Sequence, residues 1–366
     1  MLISSLRVTA FRNLAQLSME PHPRFNIIHG ENGQGKTNLI ESIYVLSALR
    51  SFRSLRNRDL IRNGESESIL NAYVDRGGSR RDVRVTLRPV GRRIELNQKV
   101  IRDTASFFGM VNTVVFSPED ISVLKSAPAD RRLFIDRMVF NLLPSYAALV
   151  SDYEEALKGR NALLRDEFPN QALINAWNEQ VVRLGCAVIV RRRQFLERIA
   201  APFADTFGQI FDATMDASLK YECTIDNEIP GDEATLPERF HGALERSFRH
   251  DCARGHTTVG PHRDDFLGIL NGQPIRTWGS QGQHRAFVLA LKITEIRMAT
   301  EQLGHSPILL LDDVSSELDP ARNQRLFEFL AGFEGQVFIT TTDPAFIRLH
   351  HDAQRWHIVQ GTLTND

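Results

Sequence analysis

Eight consecutive residues, Gly30-Glu31-Asn32-Gly33-Gln34-Gly35-Lys36-Thr37, have the types and spacing to grip a chain of phosphates. They satisfy G-x-x-x-x-G-K-[ST] in full. Glycines let the backbone approach an anion closely, and successive N–H groups at a helix start point at it. The Lys36 ammonium is expected on the outer phosphates, and the Thr37 hydroxyl suits Mg2+. Asn38, the next residue, is counted with this cradle. A second chemical segment lies far along the chain: Ile308-Leu309-Leu310-Leu311-Asp312-Asp313, an apolar run ending in two carboxylates. It predicts a buried strand whose Asp312 holds magnesium and whose Asp313 polarises an attacking water. Together the two segments predict binding and hydrolysis of a nucleoside triphosphate with Mg2+, with Lys36 and Asp313 in catalytic roles.

These residues need elements to position them. Phe25–His29 reads as a short apolar strand entering the glycine turn, and Leu39, Ile43, Leu46 and Leu49 recur at helical spacing after it. Leu2–Phe11 reads as a strand, residues 69–96 alternate in strand fashion with turns at Asp75–Ser79 and Pro89–Gly91, and Val111–Phe116 is β-branched. Ser117-Pro118-Glu119-Asp120 has the chemistry of a helix start. Most of 129–217 reads as helix, broken near Pro144 and Pro169. Asp265–Arg276 reads as a hairpin turning at Asn271-Gly272. A long helix, Gln281–Leu303, precedes the strand Pro307–Leu311, a helix from Pro320 and a strand at Gln336–Thr341. The expected class is α/β with an inserted, mainly helical second lobe, divided as 1–120, 121–255 and 256–366.

Two further motifs narrow the family. Trp278-Gly279-Ser280-Gln281-Gly282-Gln283 begins the long helix, and Ser315-Ser316-Glu317-Leu318-Asp319 directly follows the carboxylates. Their order after the glycine loop resembles the signature and D-loop of an ABC-type ATPase head. In that superfamily the signature, here Ser280, Gly282 and Gln283, closes on ATP held by the opposite subunit; the physics is anion binding at a helix start. Phe11-Arg12-Asn13-Leu14, the blocks Phe116–Asp120 and Ala129–Asp136, and Gly260-Pro261-His262-Arg263-Asp264-Asp265 resemble the RecF family of bacterial recombinational-repair proteins. That resemblance covers essentially the whole chain and implies an ABC-type, SMC-like P-loop ATPase head. It implies that Arg12 and Asn13 help hold the nucleotide. It also implies an ATP-dependent homodimer that clamps double-stranded and gapped DNA with little sequence preference. Slow, DNA-dependent hydrolysis would time release, in gap repair and the SOS response, with RecR and RecO as partners. Some positions depart from the general ABC pattern. Asp313 stands where transporters usually carry glutamate. Ile339–Asp343 lacks the histidine that often follows the strand, leaving Thr342 as a candidate phosphate contact, and no lobe-linking glutamine is evident near Ser117–Asp120.

Composition sets the outer limits. With 366 residues, 42% hydrophobic and 24% charged, the chain is an ordinary globular protein with enough material for a core. Cys186, Cys223 and Cys252 lie far apart without a C-x-x-C pair, so neither a disulfide framework nor a cysteine zinc site is expected. No apolar run approaches the ~20 residues of a membrane span. A cytoplasmic protein without membrane contact is therefore expected. Net charge is only −1, yet residues 50–102 hold fourteen Lys or Arg against six acids, while 221–238 hold six acids and neither base. The basic stretch predicts a polyanion-binding face. The helical middle is too short and proline-broken for SMC coiled-coil arms. The alternatives are an ABC-type subunit of another complex, or a nucleotide-gated scaffold with little turnover.

Overall fold

The computed structural model describes residues 1–365 apart from 55, 169, 226–232, 345–346 and 348–352, and leaves the side chains of 105, 315 and 316 undescribed. Two compact units emerge, residues 1–121 with 295–366, and residues 122–294.

In the first unit, β1 (Leu2–Phe11) and β2 (Leu14–Met19) form a hairpin, and β3 (Phe25–His29) runs through the glycine turn into α1 (Lys36–Ala48). Then β4 (Ser68–Arg76), β5 (Ser79–Leu87), β6 (Arg92–Leu96) and β7 (Lys99–Ile101) complete an antiparallel sheet ordered β2-β1-β4-β5-β6-β7. Leu70, Ala72 and Val74 of β4 and Val83 and Val85 of β5 are buried at every second position, as a sheet with one wet face requires. The turns Gly77-Gly78 and Asn97-Gln98 carry positive φ at both residues, the hand that matches strand twist. β8 (Thr113–Phe116) leads to α2 (Pro118–Ser122), where the Asp120 carboxylate accepts the Ser117 N–H at 3.1 Å.

The second unit contains α3 (Pro128–Leu142), α4 (Tyr146–Leu163), α5 (Gln171–Ile210), β9 (Ala217–Glu222), α6 (Leu236–Arg254), β10 (Asp265–Leu270), β11 (Gln273–Pro274), α7 (Ile275–Trp278) and most of α8 (Gln281–Leu303). The break between α3 and α4 falls at Pro144, as predicted. Pro169, and residues 226–232 of the predicted acidic stretch, lie outside the described residues. Helix α5 runs on through Pro202, which removes a backbone donor; the buried face Phe195, Ile199, Phe203 and Phe207 spans the proline and holds the helix together. Strand β9 pairs with β10, extending the predicted hairpin to a sheet ordered β11-β10-β9. Through that pairing residues 256–294 pack in this unit, whereas the sequence division placed them with the first.

The segments Ala129–Asp136 and Gly260–Asp265 meet in a buried polar network of the second unit. Arg192 of α5 forks onto Asp136 at 2.8 Å and donates to Pro261 O at 2.7 Å, while the Tyr146 hydroxyl donates to Asp136 at 2.6 Å. Arg131 forks onto Asp265. Fully buried Arg160 donates to Asp251 at 2.9 Å and to Asn178 at 2.7 Å. Burial drives the His262 pKa down to about 4, so its ring is neutral. Nε2 then donates to Thr257 O at 3.0 Å, and Nδ1 accepts from the Tyr153 hydroxyl at 2.7 Å.

The chain returns to the first unit with β12 (Ile308–Asp312), α9 (Val314–Glu317), α10 (Pro320–Gly332), β13 (Val337–Thr341), β14 (Ala353–Val359) and β15 (Thr362–Asn365). The second sheet is ordered β15-β14-β3-β13-β12-β8, parallel throughout except for β14–β15. All residues of β12 and β13 are buried, as central parallel strands covered on both faces must be. Buried Gln336 ties the sheets together: its amide accepts the Ile3 N–H at 2.7 Å and donates to Ile3 O at 2.9 Å. Among the described residues no helix is long and apolar enough to cross a membrane.

Candidate nucleotide-binding site

Parallel strands gather functional groups at their C-terminal ends. Here β3 ends at His29, β12 at Asp312 and β13 at Thr341, in matching register, so the glycine loop, the carboxylates and the threonines share one sheet edge. The loop turns because its glycines adopt conformations closed to other residues: φ is +154° at Gly30 and +118° at Gly35. A Cβ at Gly30 would lie 2.5 Å from Ile358 O, and one at Gly35 would lie 2.9 Å from the Asn13 side chain. Glu31, Asn32 and Gly33 form the exposed crown of the loop.

Lys36 is buried, and its ammonium donates to Gly30 O at 2.6 Å and Glu31 O at 2.9 Å. Desolvation lowers its pKa, opposed by the charges of Asp313 and Asp312. The Thr37 hydroxyl donates to Asp312 Oδ1 at 2.9 Å, and Thr340 donates to the same oxygen at 2.8 Å. Burial raises the Asp312 pKa against those two hydrogen bonds, and Glu119 raises it further. Asp313 follows with φ +48°, and its N–H donates to Thr340 Oγ1 at 2.9 Å. A non-glycine residue held in the left-handed region is a feature concentrated at functional sites. A hydroxyl beside one carboxylate is a hard-oxygen donor set that fits Mg2+, which takes its remaining ligands from phosphate and water. Among the described residues no cluster of three or more metal-ligating side chains offers a different site.

Three expected nucleotide contacts are engaged with the protein itself. Arg12 forks onto buried Glu41 of α1 at 2.8 and 3.0 Å and donates to Asp59 O at 2.7 Å. Asn13 donates to Gln34 O at 3.1 Å, and Asn38 donates to Asn13 Oδ1 at 2.7 Å. These residues brace the loop from the β1–β2 turn. A second brace was not read from the sequence. The β14–β15 turn grips Gln34, with the Gln360 N–H on Gln34 Oε1 at 2.6 Å and the Gly361 N–H on Gln34 O at 2.9 Å. Arg53 was seen only as one charge of the basic stretch. It donates to Asn38 Oδ1 at 3.4 Å, and its field is felt at Asp312. Thr342 is exposed next to Thr341, whose hydroxyl donates to Asp343 O at 3.0 Å.

Ser280, Gly282 and Gln283 belong to the second unit, not to the unit carrying Lys36. Ser280 caps α8: Gln283 N–H donates to Ser280 Oγ at 3.2 Å, and the Gln283 side chain accepts the Ser280 N–H at 2.7 Å. This reciprocal box leaves an exposed, preorganised helix start. Of the D-loop, Asp319 caps α10 through the Arg322 N–H at 3.2 Å, while the side chains of Ser315 and Ser316 lie outside the described residues.

The chain is similar to known proteins along its whole length. The family model described as RecF/RecN/SMC N terminal domain matches residues 2–364. A DNA replication and repair protein RecF from Geobacter sulfurreducens is 39% identical over 366 residues, covering 99% of either chain. One from Anaeromyxobacter sp. is 40% identical over 348 residues, covering 95% of this chain and 94% of its own. The solved RecF-ATPrS structure of the recombination mediator protein in the RecFOR pathway matches with a TM-score of 0.89 at 29% identity, covering 100% of this chain and 98% of that one. An Smc head bound to the winged-helix domain of ScpA matches with a TM-score of 0.56 at 16% identity, a likeness of fold alone.

Proposed function

Because the chain belongs to the RecF family of RecF/RecN/SMC head proteins, we propose that it is an ATP-dependent DNA-binding clamp of DNA replication and repair. The observation that carries this reading is the convergence of Lys36, Thr37, Asp312 and Asp313 at one edge of the parallel sheet. ATP is the substrate. The N–H groups at the start of α1 and the Lys36 ammonium take its phosphates, Lys36 exchanging its carbonyl partners for phosphate oxygens. Thr37 and Asp312 would hold Mg2+, which neutralises charge on the transferring phosphoryl group. Asp313 orients the attacking water and takes its proton. A carboxylate on a short side chain at this position suits slow turnover.

Two protomers then close head-to-tail, the Ser280 helix start of one meeting the phosphates held by Lys36 and Thr37 of the other. Closure builds a composite basic surface that takes DNA through its backbone with little sequence preference. Hydrolysis removes the γ-phosphate that joins the halves and releases the DNA. Relatives in the RecFOR pathway support RecR and RecO as partners.

The test is fluorescence anisotropy of a gapped duplex with and without Mg-ATP, with Ser280→Arg as control. Binding that needs ATP and fails in the variant is the expected result. Binding indifferent to ATP would break the coupling and favour a nucleotide-gated scaffold with little turnover.

A further inference from the structure

The basic stretch 50–102 is not one uniform face. Three arginines on or beside the outer sheet have carboxylate partners: Arg84 and Arg93 share Glu95 at 4.0 and 2.7 Å, and Arg88 pairs with Glu67 at 3.2 Å. Arg81 donates to Met110 Sδ at 2.7 Å. Arg50, Arg56 and Arg58, by contrast, have no carboxylate within ion-pair distance among the described residues, and they lie on a single segment.

That segment is fastened to the turn between β5 and β6. Arg92 donates to Leu49 O, and Asn57 Nδ2 donates to Gly91 O at 3.0 Å. Burial lowers the Arg92 pKa, and the facing charge of Arg50 lowers it further, so like charges are held together rather than spread apart. The turn, Pro89-Val90-Gly91, projects Val90 at 91% exposure, the most exposed large apolar side chain among the described residues. Gly91, with φ +83° and its carbonyl accepting from both Asn57 and the Arg88 N–H, makes the tip rigid.

Unpaired guanidiniums held beside a rigid apolar tip match duplex DNA, where phosphates flank a groove of sugars and base edges. We infer that residues 49–54 and 56–58 with the β5–β6 turn form the element that takes the DNA backbone, Arg56 and Arg58 on phosphates and Val90 in the groove between them. The carboxylate-paired Arg84, Arg88 and Arg93 are not the contact. This rests on the reading of the chain as DNA-binding, and it names the residues that reading leaves open.

The experiment titrates the full chain with Mg-ATP onto a gapped duplex over a salt series, comparing wild type, R56Q/R58Q, R84Q/R93Q and Val90→Ser. Each phosphate contact contributes about 0.9 to the slope of log K against log salt, so R56Q/R58Q should lower the slope by about 2. R84Q/R93Q should keep the wild-type slope, and Val90→Ser should weaken binding several-fold at unchanged slope. Matching melting curves confirm that the exposed substitutions leave the fold intact. An unaltered slope in R56Q/R58Q, or an equal loss in R84Q/R93Q, overturns the assignment while leaving DNA binding standing. A wild type that binds no DNA overturns the DNA reading itself. Capture of an acidic peptide by wild type and not by R56Q/R58Q, without DNA binding, would identify a protein partner instead.

Discussion

Asp312 carries a conflict between stability and function. Its carboxylate is buried at the end of β12 with only two hydroxyl donors, and desolvation raises its pKa. An acid whose pKa is raised on folding destabilises the fold above that pKa, and the penalty is relieved as pH falls through it. Mg-ATP needs the ionised form, so its affinity should decline over the same pH window, which is displaced upward from that of an exposed aspartate. Asp312→Asn keeps an acceptor for Thr37 and Thr340 and removes the charge. The nucleotide-free melting temperature at neutral pH should therefore rise, while the stabilisation given by Mg-ATP should vanish. Scanning calorimetry with and without nucleotide checks both; a lower melting temperature in the nucleotide-free variant would contradict the desolvation argument. Lys36, Thr37, Asp312 and Asp313 were legible in the sequence because phosphate chemistry demands particular residues at consecutive positions. Arg53, Gln360 and Gly361 were not, since their roles arise from backbone contacts hundreds of residues away or from a neighbour's field, and neither leaves a local pattern.

At the level of elements, the glycine loop is held between two turns, β1–β2 through Asn13 and β14–β15 through Gln360 and Gly361. Gly361 has φ +77°, and a Cβ there would stand 2.7 Å from Asn13 O. Gly361→Ala must therefore strain its own turn by roughly 1–2 kcal/mol and push it off the loop. ATP affinity by calorimetric titration should fall several-fold, with a melting temperature lowered by only a few degrees. Unchanged affinity would mean that the loop holds its shape without this brace. The same turn explains why β14 and β15 were missed: a Gln-Gly pair with positive φ at both residues is a weaker signal than Asn271-Gly272, which correctly marked its hairpin. Strands β3 and β12 and helix α8 were read almost to the residue because apolar runs and helical periodicity determine them. Strand β9 and helix α6 were not read. The first is a short edge strand whose partner β10 lies more than forty residues away, and α6 follows an acidic stretch that masks its start.

For the whole molecule, a net charge of −1 gives no long-range pull toward DNA, so residence must depend on closure rather than on bulk charge. If hydrolysis times release, the decisive variant is one that stops chemistry without disturbing structure. Asp313→Asn meets that condition. Asn tolerates the left-handed backbone at φ +48° as readily as Asp, and the N–H bond to Thr340 does not involve the side chain. The substitution removes the proton acceptor, a change that slows general-base steps on the order of 10²-fold or more, together with one of the two charges that oppose the desolvation of Lys36. Nucleotide binding should persist, because Lys36, Thr37 and Asp312 stay in place and Asp312 still supports the Lys36 charge. The ATP-bound dimer should then stay on DNA for correspondingly longer, measured by challenging a labelled complex with excess unlabelled duplex. Wild type loaded with a non-hydrolysable ATP analogue should show the same long residence, since both block the same step. If Asp313→Asn leaves DNA at the wild-type rate while its turnover is abolished, release does not wait on hydrolysis. The molecule would then be a nucleotide-gated scaffold whose ATPase runs beside its DNA binding.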